Sequence, residues 1–455
     1  MYAKNAWNKY KENQYKDVME FNEKYKHFIS IGKTERQCVE EAQRIAQEHG
    51  FKDLSAYQSL KSGDKVYVIN KNKNIALFVI GDKPLTEGMR ILGAHIDSPR
   101  IDIKQNPLYE SEGFALLDTH YYGGIKNYQW VTIPLSLIGV VFKKDGTRIN
   151  INIGDDPCDP VVGISDLLVH LSSDQMQKTA SKVIDSEALD ITIGSIPVED
   201  EDKETVKTNI LRLLKEKYDI EEEDFLSAEI EVVPAGEARD YGLDRSMVLG
   251  YGHDDRVCAY TSLMATVEIN HVEYTSCCFL VDKEEIGSVG ATGAHSSFFE
   301  DAVAEILHLC GDDSYLSLKY ALSRSLMLSS DVSAAVDPLY KEVNDNKNAA
   351  YFGKGIVFNK YTGSRGKSGS NDANPEYIAQ IRKILDEEHV HFQTAELGKV
   401  DQGGGGTIAY IFANYNMNVI DAGIAVLNMH APYEIVSKVD VYEGYLAYKV
   451  FLKNA

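Results

Sequence analysis

The stretch Phe279-Leu280-Val281-Asp282-Lys283-Glu284-Glu285-Ile286-Gly287-Ser288 constrains the fold of this chain more than any other. Its apolar half reads as a buried strand, and the strand ends abruptly in two adjacent carboxylates and a glycine turn. Neighbouring side chains at a strand end point in different directions. One glutamate can therefore bind a metal while the other faces a water on that metal. A solvated acidic turn has the same local sequence, so the decision rests on how the other strands end.

They end in the same way. Ile91-Leu92-Gly93-Ala94 runs into His95 and Asp97, Leu326-Met327-Leu328-Ser329-Ser330 into Asp331, and Ala425-Val426-Leu427-Asn428-Met429 into His430. Helical patterns fall before, between and after these runs, at 34–50, 255–269, 296–310, 374–388 and 437–452. The first opens on a capping box, Thr34-Glu35-Arg36-Gln37, and Ser437 with Asp440 offers another. Helices alternating with buried strands predict an α/β layered domain on a mixed, largely parallel sheet. Sites in such sheets lie outside the carboxyl ends of the strands, where residues distant in sequence converge.

Further elements are predicted as a long helix over 5–30, a hairpin of 65–70 with 75–81, and one strand over 419–427. From 102 to 233 the texture changes. Strand-like runs at 131–142 and 148–153 flank the turn Lys144-Asp145-Gly146, a short amphipathic segment covers 165–171, and the acidic stretch 199–224 reads as a solvated helix or loop. No strand there ends in acids and histidines. The pattern predicts a β-rich domain, 102–233, inserted into a catalytic domain made of 1–101 and 234–455.

At 455 residues the chain is long enough for two or three domains. Its formal charge of −22 argues against nucleic acid as a partner, because phosphate binding needs basic patches. No apolar run approaches the roughly 18–20 residues that span a bilayer, and the polar N-terminus is unlike a signal peptide. Six cysteines without a CxxC spacing read as reduced thiols, which predicts a cytoplasmic protein without a membrane partner.

Gly252-His253-Asp254-Asp255-Arg256 adds two aspartates ahead of a helical pattern, a place where capping alone would also put them. A carboxylate has two oxygens and can bridge two cations. His95, Asp254, Glu285, Asp331 and His430 make a nitrogen and oxygen set suited to zinc, or to cobalt or manganese. Asp97 is placed to orient the His95 imidazole. Other motifs fail. Position 361 is Tyr where a phosphate loop ending in Gly366-Lys367-Ser368 needs Gly, and Gly250-Tyr251-Gly252 lacks the third glycine of a dinucleotide loop. The glycine run 403–406 reads as a loop or as a backbone strip that touches substrate. Lys360, Arg365 and Lys367 read as a solvated tract or as partners of a substrate carboxylate.

Taken in order, the segments resemble the aspartyl aminopeptidase and vacuolar aminopeptidase I family of cocatalytic zinc exopeptidases. The resemblance is carried by Gly93-Ala94-His95-Ile96-Asp97-Ser98-Pro99-Arg100, Asp254-Asp255-Arg256, Asp282-Lys283-Glu284-Glu285-Ile286-Gly287-Ser288, Ser329-Ser330-Asp331 and Asn428-Met429-His430-Ala431-Pro432. It implies a zinc-peptidase-like three-layer catalytic domain interrupted by a β-rich oligomerisation domain, assembled into tetrahedral dodecamers. It also implies that two divalent metal ions, most simply zinc, act on peptides with a free N-terminus. His95 and Asp331 would hold one ion, Glu285 and His430 the other, and Asp254 would bridge them. Glu284 would be the general base and Asp97 would orient His95.

The bridging segment reads His-Asp-Asp-Arg where aspartyl aminopeptidases have Asp followed by Asn, so Asp255 is the alternative bridge. His170, in Leu167-Leu168-Val169-His170-Leu171, matches by pattern the histidine that the inserted domain sends into a neighbouring subunit's site; a partly buried helix histidine is the alternative. The loop 358–374 is richer in Gly and Ser than that of the aspartyl enzymes, which favours the vacuolar type and its neutral N-terminal residues. The rival readings are a dizinc deacylase or carboxypeptidase, and a non-catalytic oligomeric scaffold.

Overall fold

Strand side chains alternate between two faces, and both faces of the main sheet are apolar. In Arg90–His95, Leu92 and Ala94 join one hydrophobic cluster and Ile91 the other; in Ser276–Val281, Cys278 and Leu280 face the first, and Cys277, Phe279 and Val281 the second. A sheet apolar on both sides must be covered on both. Asn13–Ile31, Glu35–Glu48, His253–Val267, Pro375–Glu387 and Lys438–Asn454 supply one helical layer. Phe298–Leu309, Tyr315–Ser323 and Ala409–Ala413 supply the other, giving the layered α/β architecture that the sequence pattern predicts. This structure, a computed structural model, describes residues 4–199, 203–363 and 368–455.

The chain divides into two compact units. The first comprises the chain up to Asp97 with Ala238–Met429 and Glu434–Ala455; the second comprises Ser98–Glu237 with His430–Tyr433. At the centre of the first unit's nine-stranded sheet, Ser276–Val281, Arg90–His95, Leu326–Ser329 and Asn418–Gly423 lie side by side and parallel. Their carboxyl ends therefore share one edge.

Residues 419–427 form two strands, a correction to the single strand expected there. Asn418–Gly423 stays in the nine-stranded sheet, while Ala425–Leu427 pairs with Ser333–Ala334 and Glu434–Ser437 in a separate five-stranded sheet. The chain departs at Gly423, which lies so close to Asp331 that a Cβ there would come within 1.7 Å of the Asp331 carbonyl oxygen. Only glycine permits that approach.

The helix expected over 5–30 is likewise interrupted. A single 3-10 turn, Ala6–Asn8, precedes Asn13–Ile31, and the break falls at Glu12, which has a φ of 50°. Thr34 and Gln37 do form the reciprocal capping box at the start of Glu35–Glu48. Thr34→Ala should cost about 1 kcal/mol of stability, seen as a lower urea midpoint with an unchanged slope. Ser437 and Asp440 behave differently from the expected box. Ser437 makes no side-chain cap bond, and Asp440 turns inward to accept the N–H groups of Gly353 and Gly355 at 2.7 Å each.

The second unit carries a six-stranded sheet ordered Arg148–Ile153, Leu135–Phe142, Ala228–Pro234, Arg100–Ser111, Phe114–Tyr122 and Ile191–Gly194, antiparallel throughout. The acidic stretch contributes the helix Thr205–Tyr218. Residues 165–171 are not an amphipathic helix. Only Val169–Leu171 turn, as a 3-10 segment, and Val169 and Leu171 are 75% and 68% exposed. A short helix gains little when its apolar side has nothing to pack against. Among the described residues no helix is long and apolar enough to cross a membrane, and all six cysteines are free thiols.

Candidate metal centre

The parallel register delivers three strand ends of the first unit to one edge, and the acids and histidine that follow them converge there. His95, Asp254 and Asp331 each bring a ligand atom within 4.8 Å of the others, and His95, Glu284 and Glu285 do the same. The His95 Nε2 atom lies 3.2 Å from Asp254 Oδ1 and 3.9 Å from Glu284 Oε2. Burial alone would lower the pKa of His95, yet hydrogen bonding to Asp254 and Asp97 holds it well above the ordinary value. Asp331 is also pushed well above the usual carboxylate range, first by burial and then by the charge of Asp255. A pocket so crowded with negative charge calls for a cation. One imidazole nitrogen among carboxylate oxygens is a donor set that fits zinc.

Asp97 organises this edge. It is fully buried; its Oδ1 accepts the N–H of Glu284 and its Oδ2 the N–H of Glu285, each at 3.1 Å. The Nδ1–H of His95 donates to the Asp97 carbonyl oxygen at 3.0 Å and lies 3.4 Å from Oδ1. With one proton held on Nδ1 by Asp97, Nε2 is the nitrogen that would turn its lone pair to a metal in place of the proton it shares with Asp254. Asp97 thus holds the 3-10 turn Glu284–Ile286 through its carboxylate and the histidine through its backbone carbonyl. The sequence suggested only the second of these tasks. The clamp on the glutamates joins residues 187 and 188 positions apart, and no local signal marks it.

The two neighbouring aspartates diverge. Asp254 enters the group with His95 and Asp331, and its N–H donates to Glu434 Oε2 at 3.0 Å. Asp255 turns its Oδ2 to the N–H of His95 at 3.3 Å, and burial raises its pKa well above the ordinary value. The peptide between them is cis. His253 is occupied at both ring nitrogens: Tyr25 OH donates to Nδ1 at 2.5 Å, and Nε2 donates to Val248 O at 3.2 Å. Burial lowers its pKa to about 3, so it stays neutral as a support for the aspartates. Glu434 and Tyr25 are site supports that the sequence reading missed, and neither carries a motif that would have marked it.

The remaining two candidates belong to the second unit. His430 begins the short segment that groups there, with Nδ1 at 2.9 Å from Gly124 O. His170 sits exposed on the 3-10 turn, which corrects the alternative of a partly buried helix histidine. In the basic tract, Lys360 pairs with Asp372 at 2.7 Å, while Arg365 and Lys367 lie outside the described residues.

Comparisons with known proteins agree over the whole chain. The family described as aminopeptidase I zinc metalloprotease (M18) matches residues 28–452. A probable M18 family aminopeptidase 1 of Clostridium acetobutylicum is 61% identical over 456 residues, covering 99% of this chain and 98% of the relative. Among solved structures, the M18 aminopeptidase of Thermotoga maritima is similar with a TM-score of 0.97 at 47% identity, covering 100% of both chains. Aminopeptidase I of Clostridium acetobutylicum follows at 0.94 and 57%, again over 100% of both.

Proposed function

This chain belongs to the M18 family and is a zinc-dependent aminopeptidase, and from that premise we propose how its own residues divide the work. His95 and Asp331 would hold one ion and Glu285 and His430 a second, with Asp254 shared between the two. Glu284 is the general base. The observation that carries this reading is Asp97, whose carboxylate accepts the N–H groups of Glu284 and Glu285 while its backbone carbonyl oxygen accepts from His95. When bound, the ions polarise a scissile carbonyl and lower the pKa of a water. Glu284 would take a proton from the attacking water as its oxygen bonds to the carbonyl carbon, and would pass that proton to the amine as the C–N bond breaks. Asp97 keeps the Glu284–Ile286 turn in place while the proton moves.

Residues 102–233 are read as the assembly domain, with the tetrahedral dodecamer as its product and His170 reaching a partner's site. The S. cerevisiae mApe1 structure, with a TM-score of 0.77 at 20% identity over 97% of this chain and 98% of that one, is a dodecamer. The exposed Val169 and Leu171 beside His170 support the same reading, since apolar side chains left in water gain by being covered. A cytoplasmic setting accords with six free thiols.

The test is a panel of aminoacyl anilides with added zinc, cobalt or manganese, and N-acyl amino acids as counter-substrates. Aminoacyl anilides should be hydrolysed and N-acyl amino acids left intact; the reverse would remove the N-terminal reading. Metal analysis should return two equivalents per chain. Full activity with one equivalent overturns the second ion, and a monomer in light scattering overturns the assembly.

A further inference from the structure

Asp421 is a buried carboxylate that this reaction does not use. It lies on Asn418–Gly423, in register with Ser329 of the neighbouring parallel strand, whose chain continues to Asp331. It is 2% exposed, and the hydroxyls of Thr407, Ser329 and Thr362 face it, although neither carboxylate oxygen has a hydrogen bond of good geometry. Burial pushes its pKa up to about 7. A buried acid is costly unless it is neutralised or bonded, so three hydroxyls from three separate segments are drawn to one point.

Two of those segments meet at the glycine run 403–406. Thr407 follows it directly, and Thr362 precedes Gly363, whose N–H donates to Gly405 O at 2.7 Å. Asp421 therefore ties the run to the strand that leads to Asp331. Gly404, Gly405 and Gly406 are exposed. Gly404 has a φ of 123° and needs to be glycine, but Gly405 and Gly406 have no positive φ. Among the described residues, a Cβ at Gly405 would meet only Leu397 Cδ2 at 3.8 Å, and one at Gly406 only Gly369 O at 3.6 Å. Neither backbone conformation nor packing asks for glycine at these two positions. Bare backbone at both leaves room for another chain to come close.

We propose that the run 403–406 is a binding strip for the main chain of the peptide substrate, and that Asp421 is the positioning residue that holds the strip beside the strand leading to Asp331. This rests on the aminopeptidase reading and deepens it. The ligand is an extended peptide backbone, held by backbone hydrogen bonds, so the strip accepts peptides irrespective of side chain.

Gly405→Ala and Gly406→Ala, purified with zinc, test the strip. Each should keep the melting temperature and zinc content of the parent while KM for peptides rises about tenfold and kcat stays within about twofold, the signature of lost binding common to ground and transition states. Parental KM in both variants overturns the strip. For the positioning role, Asp421→Ala should raise KM to a similar extent, and Asp421→Asn should restore most of the loss because its amide still meets three hydroxyls. An unchanged KM in Asp421→Ala overturns that role. If Asp421→Ala does not fold, Thr407→Val decides, with a raised KM expected and a parental KM contrary. Failure of the parent enzyme on peptides would instead refute the underlying reading, so the parent is assayed first.

Discussion

Glu284→Gln should yield a folded, zinc-loaded protein that turns over peptides roughly 10³-fold more slowly, within the range a positioned general base contributes. Glutamine keeps the size of the side chain and the backbone N–H that donates to Asp97 Oδ1 at 3.1 Å, so the turn and the neighbouring Glu285 stay in place. What disappears is the capacity to take a proton. Single-turnover rates separate this from slow product release, and mass spectrometry of the native protein reports the metal. A metal-loaded Glu284→Gln enzyme with parental turnover would remove Glu284 as the base.

Asp254→Ala should weaken zinc binding by more than the 10–100-fold typical of losing an outer partner of a ligand, and activity should fall with it. Asp254 shares one group with His95 and Asp331, and in the proposed arrangement it serves both ions. Its removal also leaves the His95 Nε2 atom without the carboxylate oxygen 3.2 Å away. Asp255→Asn is the comparison. Its carboxylate accepts the backbone N–H of His95, and asparagine can still accept that bond, so metal content should be kept. Competition against a chelating dye measures both variants. Zinc retained in Asp254→Ala and lost in Asp255→Asn would exchange the two assignments.

Much of the site was legible because it is written in adjacent residues. Arg90–His95 and Leu326–Ser329 are apolar runs that stop at a histidine or just before an aspartate, and Ser276–Val281 stops just before two glutamates. Strand periodicity and donor chemistry are both local properties. The single strand expected over 419–427 failed for the complementary reason. Its residues are apolar apart from Asp421 and Gly423, and only the approach of Asp331 at Gly423 shows where the chain changes sheets. The segment 165–171 failed similarly, because its apolar spacing suits a helix but among the described residues Val169 and Leu171 stay uncovered.

Short-range pattern and the chemistry of each side chain were enough for the layered α/β class, the family resemblance and the candidate donor set. The tertiary structure decided how those donors are held. It separated Asp254 from Asp255, satisfied His253 at both nitrogens with Tyr25 and Val248, and gave Asp97 its grip on the glutamate turn as well as on His95. Each depends on where distant backbone groups fall once parallel strands are in register. A hydrogen bond between residues nearly two hundred positions apart leaves no trace in local sequence, because its geometry exists only after the sheet has formed.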